Sequence, residues 1–168
     1  TLPKKNDGIT ILGSTIVIKK FVDKPIAGKG ISNHKLLGNW LCGGASNAGA
    51  AILLDFFNLE YIEELSKQIN PKKSTGIDLI PLSKKGERFP IDNPHLLPKL
   101  EPRPVSDSLY LHAILEGLAK IEARGWEKLN ELGADLPSQI ITIGGGAKNM
   151  TWKKIREKEI GIPIKICN

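Results

Sequence analysis

The stretch Ile140-Ile141-Thr142-Ile143-Gly144-Gly145-Gly146-Ala147-Lys148-Asn149 joins a β-branched run to three glycines. The run predicts a buried strand over 139–143, and the residues after the glycines predict a helix near 151–158. Three glycines in a row lose packing and conformational entropy, so we expect them where a side chain would collide with a neighbour or where φ is positive. The free N–H groups at the start of a helix attract phosphate and the polar edges of nucleotides. This stretch therefore predicts a nucleotide site in an α/β domain.

Two common phosphate-binding motifs match this stretch poorly. The order Gly144-x-Gly146-x-x-Asn149 nearly makes the dinucleotide motif G-x-G-x-x-G, but an asparagine stands at the last position. The next strand ends in Lys165-Ile166-Cys167-Asn168, without the acidic residue that would bind a ribose. No G-x-x-x-x-G-K-[ST] motif occurs. A tight strand-to-helix turn without a ligand remains the simpler alternative.

Two further turns of small residues follow predicted strands. Gly13-Ser14-Thr15 joins two short strands, and an ordinary hairpin turn is the simpler interpretation. Gly43-Gly44-Ala45-Ser46-Asn47 follows the apolar run Trp40-Leu41-Cys42 and predicts either a helix start capped by Ser46 or a ligand loop. Because the strand ends of an α/β sheet converge on one edge, the three turns together favour a ligand site.

The rest of the chain predicts an alternation of helices and strands. Apolar spacing predicts a helix over 59–69, and 77–82 is predicted to be a buried strand. The proline-rich stretch 83–104 is predicted to be a loop. Apolar spacing predicts a long helix that begins at Ser106 or Asp107 and ends at Gly133. Gly117 inside it costs about 1 kcal/mol relative to alanine, which predicts close contact with a neighbouring element.

Composition excludes several classes of protein. The formal charge is +6, but the lysines are doublets scattered over separate segments and few aromatic residues accompany them, so a solvated surface is favoured over nucleic-acid binding. A nucleic-acid groove would instead show steeply salt-dependent affinity. No apolar run reaches the roughly 18 to 20 residues of a membrane span. We therefore expect no nucleic-acid or membrane partner.

The remaining chemistry-bearing residues give no catalytic or metal motif. Cys42 and Cys167 form no C-x-x-C pair, so a reducing compartment is expected. The three histidines lack metal-ligand spacing, and no Ser/His/Asp arrangement is apparent. We assign no catalytic residue and no metal ligand to the chain. It begins at Thr1 and its only methionine is Met150, so it is expected to be part of a longer protein.

Several segments, in order, resemble the C-terminal nucleotide-binding domain of the FGGY carbohydrate kinases. Gly144-Gly145-Gly146-Ala147-Lys148-Asn149-x-x-Trp152-x-x-Ile155 is similar to the family's adenosine motif, Leu12-Gly13-Ser14-Thr15 to its second phosphate motif, and Leu115-Glu116-Gly117 to the L-E-G stretch of its long helix. Trp40-Leu41-Cys42-Gly43-Gly44-Ala45-Ser46-Asn47 most resembles D-ribulose or xylulose kinases of the cyanobacterial and plant type. Arg156-Glu157-Lys158-Glu159 departs from the family, which commonly has an Ala-Asp pair there.

The resemblance implies an actin-like, ribonuclease-H-like ATPase domain over residues 1–168, with a mixed sheet and helices on both faces. It implies that ATP is bound with Mg²⁺ between this domain and an N-terminal domain outside the chain. Ser14 and Thr15 would contact the β- and γ-phosphates, and Gly43 and Gly44 would line the nucleotide cleft. The adenosine pocket would be formed by Gly145, Gly146, Ala147, Lys148 and Asn149.

The implied function is transfer of the γ-phosphoryl group of ATP to a sugar hydroxyl, with a ketopentose such as ribulose or xylulose as the substrate. The resemblance places most sugar contacts and the aspartate that accepts the hydroxyl proton in the N-terminal domain. This chain alone is therefore expected to be inactive. The expected location is the cytoplasm, or a plastid for a plant protein. A non-catalytic nucleotide-binding or interaction domain of the same fold is the alternative.

Overall fold

The computed structural model describes residues 3–167, so the predicted cut ends Thr1 and Asn168 lie outside it. A six-stranded mixed sheet has the order β3-β4-β2-β1-β5-β6. Strands β1, β4, β5 and β6 run in one direction, and β2 and β3 run in the other. The strands are β1 (Asp7–Leu12), β2 (Ile16–Val22), β3 (Ser32–Leu36), β4 (Asn39–Ala45), β5 (Gln139–Ile143) and β6 (Ile164–Ile166).

Four helices follow β4 and β5: α1 (Ala51–Phe56), α2 (Leu59–Lys67), α3 (Asp107–Glu131) and α4 (Met150–Ile160). Local capping explains where the longer helices begin. The Ser106 hydroxyl accepts a hydrogen bond from the Leu109 N–H at 3.2 Å, and the side-chain oxygen Oδ1 of Asn149 accepts one from the Trp152 N–H at 3.0 Å. None of these helices within residues 3–167 combines the length and apolar character needed to cross a membrane.

The helix layer covers one face of the sheet. On that face Gly8 and Ile18 lie against Trp126 and Gly125 of α3, and Thr10 is hydrogen-bonded to Glu122 of the same helix. The strand residues that belong to the central core are Leu12, Ile16, Ile18, Cys42, Ile140 and Ile164. The single apolar core of the described residues therefore lies between this face and the helices.

The predicted α/β class with a mixed sheet is confirmed, but helices on both faces are not found within residues 3–167. The crossover from β4 to β5 and the crossover from β5 to β6 advance in the same direction across parallel strands. Right-handed crossovers in the same direction place their helices on the same face. On the opposite face Ile9, Ile11, Val17 and Phe21 are only partly buried and lie outside the central core.

Segment 77–82 is not a strand, and that prediction is wrong. Its backbone makes one isolated bridge, between Ile80 and Lys99, and its side chains pack on the outer side of α3. A Cβ at Gly117 would lie 3.0 Å from Pro81 Cδ and 3.2 Å from the Leu79 carbonyl oxygen. The segment is therefore apolar because it covers a helix, and the predicted close contact at Gly117 is present.

Candidate nucleotide site

Two of the three turns of small residues meet at the carboxyl-terminal edge of the sheet. The turn between β1 and β2 contains Gly13, Ser14 and Thr15, and the turn after β5 begins at Gly144. A Cβ at Gly144 would lie 2.6 Å from the Leu12 carbonyl oxygen, so the two turns are in van der Waals contact. We call this junction, formed by residues 13–15 and 144–149, the rim.

The segment before α1 is hydrogen-bonded to the hairpin turn of the rim. The Ala50 N–H donates to the Gly13 carbonyl oxygen at 3.0 Å, and the Ala51 N–H donates to the Ser14 carbonyl oxygen at 3.4 Å. A Cβ at Gly49 would collide with the backbone of Ser14 and Thr15. The hairpin turn is therefore held by the segment before α1, and Gly49 is needed for that close approach.

Glycines that the fold itself requires can be separated from those that it does not. Of the 17 glycines in the chain, seven have a positive φ, and eight of the other ten would place a Cβ within 3.0 Å of another atom. The remaining two are Gly13, whose Cβ would make only an ordinary 3.8 Å contact with the Thr15 carbonyl oxygen, and Gly145, whose Cβ would meet nothing within 4 Å. Both lie in the rim. Neither backbone conformation nor packing among the described residues explains their lack of a side chain.

Gly144 and Gly146, by contrast, are needed by the protein itself. Gly144 has φ 99° and ψ 169°, a region that is essentially restricted to glycine. A Cβ at Gly146 would lie 2.7 Å from the Trp152 ring. These two glycines let the turn close on β1 and on α4, and they leave Gly145 at its exposed surface.

The hairpin turn offers several unused donors. Ser14 is exposed and Thr15 is partly exposed. Within residues 3–167 neither hydroxyl makes a side-chain hydrogen bond, and neither backbone N–H has an acceptor. Two hydroxyls and two N–H groups on one exposed turn can surround the oxygens of a phosphate group. The geometry thus leaves Ser14 and Thr15 available for the phosphate contacts that the resemblance implies.

The glycine turn is a short 3-10 turn over Gly145–Lys148. Its first backbone hydrogen bond runs from the Ala147 N–H to the Gly144 carbonyl oxygen at 3.1 Å, so the N–H groups of Gly145 and Gly146 are not committed to it. The side chain of Ala147 is buried and that of Lys148 is exposed. Gly145 and Lys148 therefore face the space outside the fold, Gly146 is partly buried against Trp152, and Ala147 anchors the turn inside the fold.

Asn149 has a structural task that the sequence did not reveal. Besides capping α4, its side-chain amide donates to the Ser66 hydroxyl at 3.0 Å, and the Thr151 hydroxyl donates to the Ser66 carbonyl oxygen at 3.0 Å. Asn149 thus ties the glycine turn to the end of α2. Its side chain is only partly buried, but its hydrogen bonds lie within the fold.

That Gly43 and Gly44 line the nucleotide cleft stays a prediction, and their position inside the fold does not favour it. Both are buried residues of β4. A Cβ at Gly44 would lie 2.5 Å from the Phe89 ring, and one at Gly43 would collide with the Ile18 carbonyl oxygen. Their side chains are absent because a loop residue and a neighbouring strand occupy the space. The helix cap predicted at Ser46 is wrong, because α1 begins only at Ala51: the Ser46 hydroxyl donates to Glu87 Oε2 at 2.6 Å and accepts from the Ala48 N–H at 2.9 Å, before the helix.

Two other features near the rim bear on ligand chemistry. An open cavity of about 510 Å³ beside the glycine turn is lined by Lys148, Met150, Lys153 and residues 164–166. Among residues 3–167 no three His, Cys, Asp or Glu side chains come close enough together to hold a metal ion. The rim therefore provides hydrogen-bond donors and a positive charge, without a cage for a cation.

Sequence reasoning missed Gly13 as a site residue, although it lies within the motif that was quoted for Ser14 and Thr15. It also missed the buried pair of Arg156 and Glu122 beneath the rim, each at most 2% exposed. The sequence feature that pointed to this pair was the charged stretch 156–159, which departs from the pattern of the FGGY carbohydrate kinases that the chain resembles. A single sequence does not show that its arginine points into the core.

Comparisons with known proteins agree with the resemblance. No protein-family model matches the chain. An L-fuculokinase from Escherichia coli K12 is 32% identical over 59 residues, which are 35% of this chain and 12% of the fuculokinase. The matched segment is thus a small part of that relative, so its activity cannot be transferred directly to this chain.

Solved structures extend the likeness to nearly the whole chain. The xylulose kinase of Bifidobacterium adolescentis matches with a TM-score of 0.80 and 21% identity, over 98% of this chain and 34% of that structure. A Plasmodium falciparum glycerol kinase with ADP matches with a TM-score of 0.74 and 12% identity, over 95% of this chain and 34% of that structure. The chain spans about a third of these kinases. The resemblance to the FGGY carbohydrate kinases and the actin-like fold are confirmed, and the cyanobacterial or plant type remains a prediction.

Proposed function

We propose, from this resemblance to the FGGY carbohydrate kinases, that the chain is the C-terminal, ATP-binding domain of a kinase that transfers the γ-phosphoryl group of ATP to a sugar hydroxyl. The observation that carries the proposal is the position of Gly13 and Gly145. They are the two glycines that the described structure does not itself require, and both lie in the turns that the resemblance assigns to the nucleotide. A ligand in close contact with the backbone explains why a side chain is absent at both positions.

The rim supplies the type of interaction that phosphoryl transfer needs. Catalysis of this reaction depends on positioning and on neutralising charge rather than on covalent chemistry by the protein. Ser14 and Thr15 are proposed to donate hydrogen bonds to the β- and γ-phosphates. Gly145 and Gly146 are proposed to let the adenosine lie against the backbone of the glycine turn, with Ala147, Lys148 and Asn149 forming the rest of that pocket.

Mg²⁺ is proposed to accompany ATP, bound mainly through the phosphates and water, as is common for nucleotide-bound magnesium. Because residues 3–167 form no metal cage, we assign no step of the reaction to the ion. The chain by itself is proposed to bind ATP without transferring its phosphoryl group, since the proton acceptor and most sugar contacts would lie in the N-terminal domain. The sugar is proposed to be a ketopentose such as ribulose or xylulose, in line with the xylulose kinases that share the fold.

A coupled assay of ADP release tests the function in the protein that carries this chain. D-ribulose, D-xylulose, L-fuculose and glycerol are each supplied with Mg-ATP, and a reaction without sugar measures background hydrolysis. We expect the largest kcat/KM with a ketopentose. ATP binding without transfer to any sugar would favour the non-catalytic nucleotide-binding domain, and a protein that binds no ATP would refute both functions.

The phosphate contacts have a specific test in the double variant Ser14→Ala with Thr15→Val. Removal of both hydroxyls is expected to lower kcat/KM for ATP by about 100-fold, since donors to a transferring group are typically worth a factor of this order. Ser138→Ala is the matched control. Ser138 lies just before β5, at the end of that strand away from the rim, so the substitution removes an exposed hydroxyl next to the same central strands. Equal activity of the double variant and the control would exclude the proposed phosphate contacts.

A further inference from the structure

A buried ion pair lies beneath the rim, between α3 and α4. Arg156 is 1% exposed and Glu122 is 2% exposed. The guanidinium Nε donates to Glu122 Oε1 at 2.6 Å and Nη2 donates to Glu122 Oε2 at 2.9 Å, so the contact is bidentate. Two-point contacts of this kind fix the relative orientation of both side chains as well as their distance.

The ion pair extends to the two central strands through threonine side chains. The Thr10 hydroxyl donates to Glu122 Oε2 at 2.7 Å, and Arg156 Nη2 donates to the Thr142 hydroxyl at 2.9 Å. Thr10 and Thr142 are fully buried and are register partners in the parallel strands β1 and β5. We call these four side chains, Thr10, Glu122, Thr142 and Arg156, the buried network.

The buried network is separated from each part of the rim by the same number of residues along the chain. Thr10 precedes Gly13 by three residues in the chain, and Thr142 precedes Gly145 by three. At a rise of about 3.3 Å per residue, three residues span at most about 10 Å, so each open glycine lies within about that distance of the network, just beyond the end of its strand. The network therefore links the bases of the two turns that the proposed function assigns to phosphate and to adenosine.

Stability alone does not account for these polar groups. Taking two charges out of water costs as much as their attraction returns in many proteins, and well-packed apolar side chains often replace such a pair without loss. What apolar contacts lack is direction. Six named atoms joined by four hydrogen bonds of fixed geometry oppose sliding of β1 against β5 and of the sheet against α3 and α4, a directional restraint that apolar contacts do not supply.

We propose that the buried network is a positioning device. It fixes the position of the hairpin turn at residues 13–15, which is proposed to bind phosphate, relative to the glycine turn at residues 144–149, which is proposed to bind adenosine. This inference rests on the proposed function. Its residues touch no nucleotide, so they act through the strands that end at Gly13 and Gly145. ATP engages both turns at once, and its affinity therefore depends on their relative position, whereas adenosine engages the glycine turn alone.

The test compares the two ligands in the double variant Arg156→Met with Glu122→Leu, which leaves no unpaired buried charge. Dissociation constants for Mg-ATP and for adenosine are measured by calorimetry and by ligand-observed NMR, in the protein that carries this chain. We expect the affinity for Mg-ATP to fall about tenfold, because small misplacements of reacting groups are worth this much or more. Adenosine affinity is expected to stay unchanged.

Two further variants separate positioning from stability. Leu129→Ala removes a buried side chain at the far end of α3, and it is expected to lower the midpoint of thermal unfolding while leaving both affinities unchanged. Thr142→Val keeps the shape of the side chain and removes one hydrogen bond, so it provides a milder test if the double variant does not fold. It is expected to weaken Mg-ATP binding selectively, by about threefold, as expected for the loss of part of one net hydrogen bond.

Equal weakening of ATP and adenosine, or no weakening of either, would overturn the positioning role and leave the network as a structural feature. Failure of the unchanged protein to bind ATP would overturn the proposed function, and the positioning role with it. The two failures are distinguishable because the second is seen before any substitution is made.

Discussion

Gly43-Gly44 and Gly144-Gly145-Gly146 look equivalent in the sequence, since each follows an apolar run and precedes small or polar residues. The structure separates them. The first pair lies inside β4, where Phe89 and the backbone of Ile18 take the space of the missing side chains. The second cluster lies at the rim, and at Gly145 that space is open. A glycine therefore indicates a ligand only when the protein itself does not fill the space of the missing side chain.

Of the substitutions proposed for this comparison, Gly44→Ala, at a buried position of β4, is expected to have the largest effect. The added Cβ would lie 2.5 Å from the Phe89 ring, which also packs on Gly125 of α3 and therefore has no room to move. Overpacking of this kind is expected to lower the free energy of unfolding by about 3 kcal/mol. Chemical denaturation of Gly44→Ala and of the unchanged protein measures the difference.

Phe89→Leu provides the partner for a double-mutant cycle with Gly44→Ala. Because a smaller side chain at position 89 relieves the collision, the double variant should lose less stability than the sum of the two single variants. Additive losses would mean that Phe89 is not the reason for glycine at position 44. The two glycine clusters would then no longer differ in whether the protein fills the space of the missing side chain.

Gly144→Ala is expected to have the second largest effect. Its φ of 99° is strained for alanine, and the added Cβ would lie 2.6 Å from the Leu12 carbonyl oxygen. We expect a loss of about 2 kcal/mol in the free energy of unfolding, smaller than at Gly44 because an exposed turn can relax. ATP binding should weaken as well, since the turn must move away from β1.

Gly38→Ala is the control for Gly144→Ala. Gly38 also has a positive φ, of 81°, but it lies in the turn between β3 and β4, at the end of β4 away from the rim. Its substitution should cost about 1 kcal/mol in stability and leave ATP affinity unchanged. Weakening of ATP binding by both variants to the same degree would show that loss of stability, and not the shape of the rim, governs affinity.

Much of the fold could be predicted because its signals are local. The hairpin of β1 and β2, the capped helix α3 and the strand before the glycine turn all follow from patterns within short windows of sequence. Strand β3 was missed because its sequence, Ser32-Asn33-His34-Lys35-Leu36, has no apolar alternation. Pairing with β4 at the edge of the sheet decides its conformation, and that is a tertiary effect.

The candidate site was predicted only in part, because tertiary contacts also decide the role of several of its residues. The resemblance identified the turns at residues 13–15 and 144–149, which the structure brings together, but it also included Gly43 and Gly44. The explanation for Gly44, Phe89, comes from a loop that is distant in sequence, and that for Gly43, the backbone of Ile18, comes from the pairing of β4 with β2; a single sequence contains no signal for either contact. The buried network was missed because Arg156 and Glu122 lie on different helices, and each alone looks like an ordinary surface charge.

The smallest effect on stability, and the sharpest test of the comparison, is expected for Gly145→Ala. Gly145 has no positive φ and open space around its Cβ position, so alanine fits the folded chain and restricts the unfolded one. Stability should therefore rise by about 0.5 kcal/mol. ATP affinity should fall about tenfold, which corresponds to about 1.4 kcal/mol, because the methyl group would occupy the space of the nucleotide. Thermal unfolding and calorimetry with Mg-ATP measure the two quantities on the same sample.

Opposite signs for stability and affinity are what separate Gly145 from every glycine that the fold requires. At Gly44 and Gly144 an added methyl group acts first on the protein, so any loss of binding is accompanied by a loss of stability. At Gly145 it can act only on something outside the described fold. Gly13→Ala, in the other turn of the rim, should repeat the pattern, since its Cβ would make only an ordinary contact. If both variants kept full ATP affinity, the open space at the rim would be an incidental feature of the turns and the argument for a nucleotide there would fail.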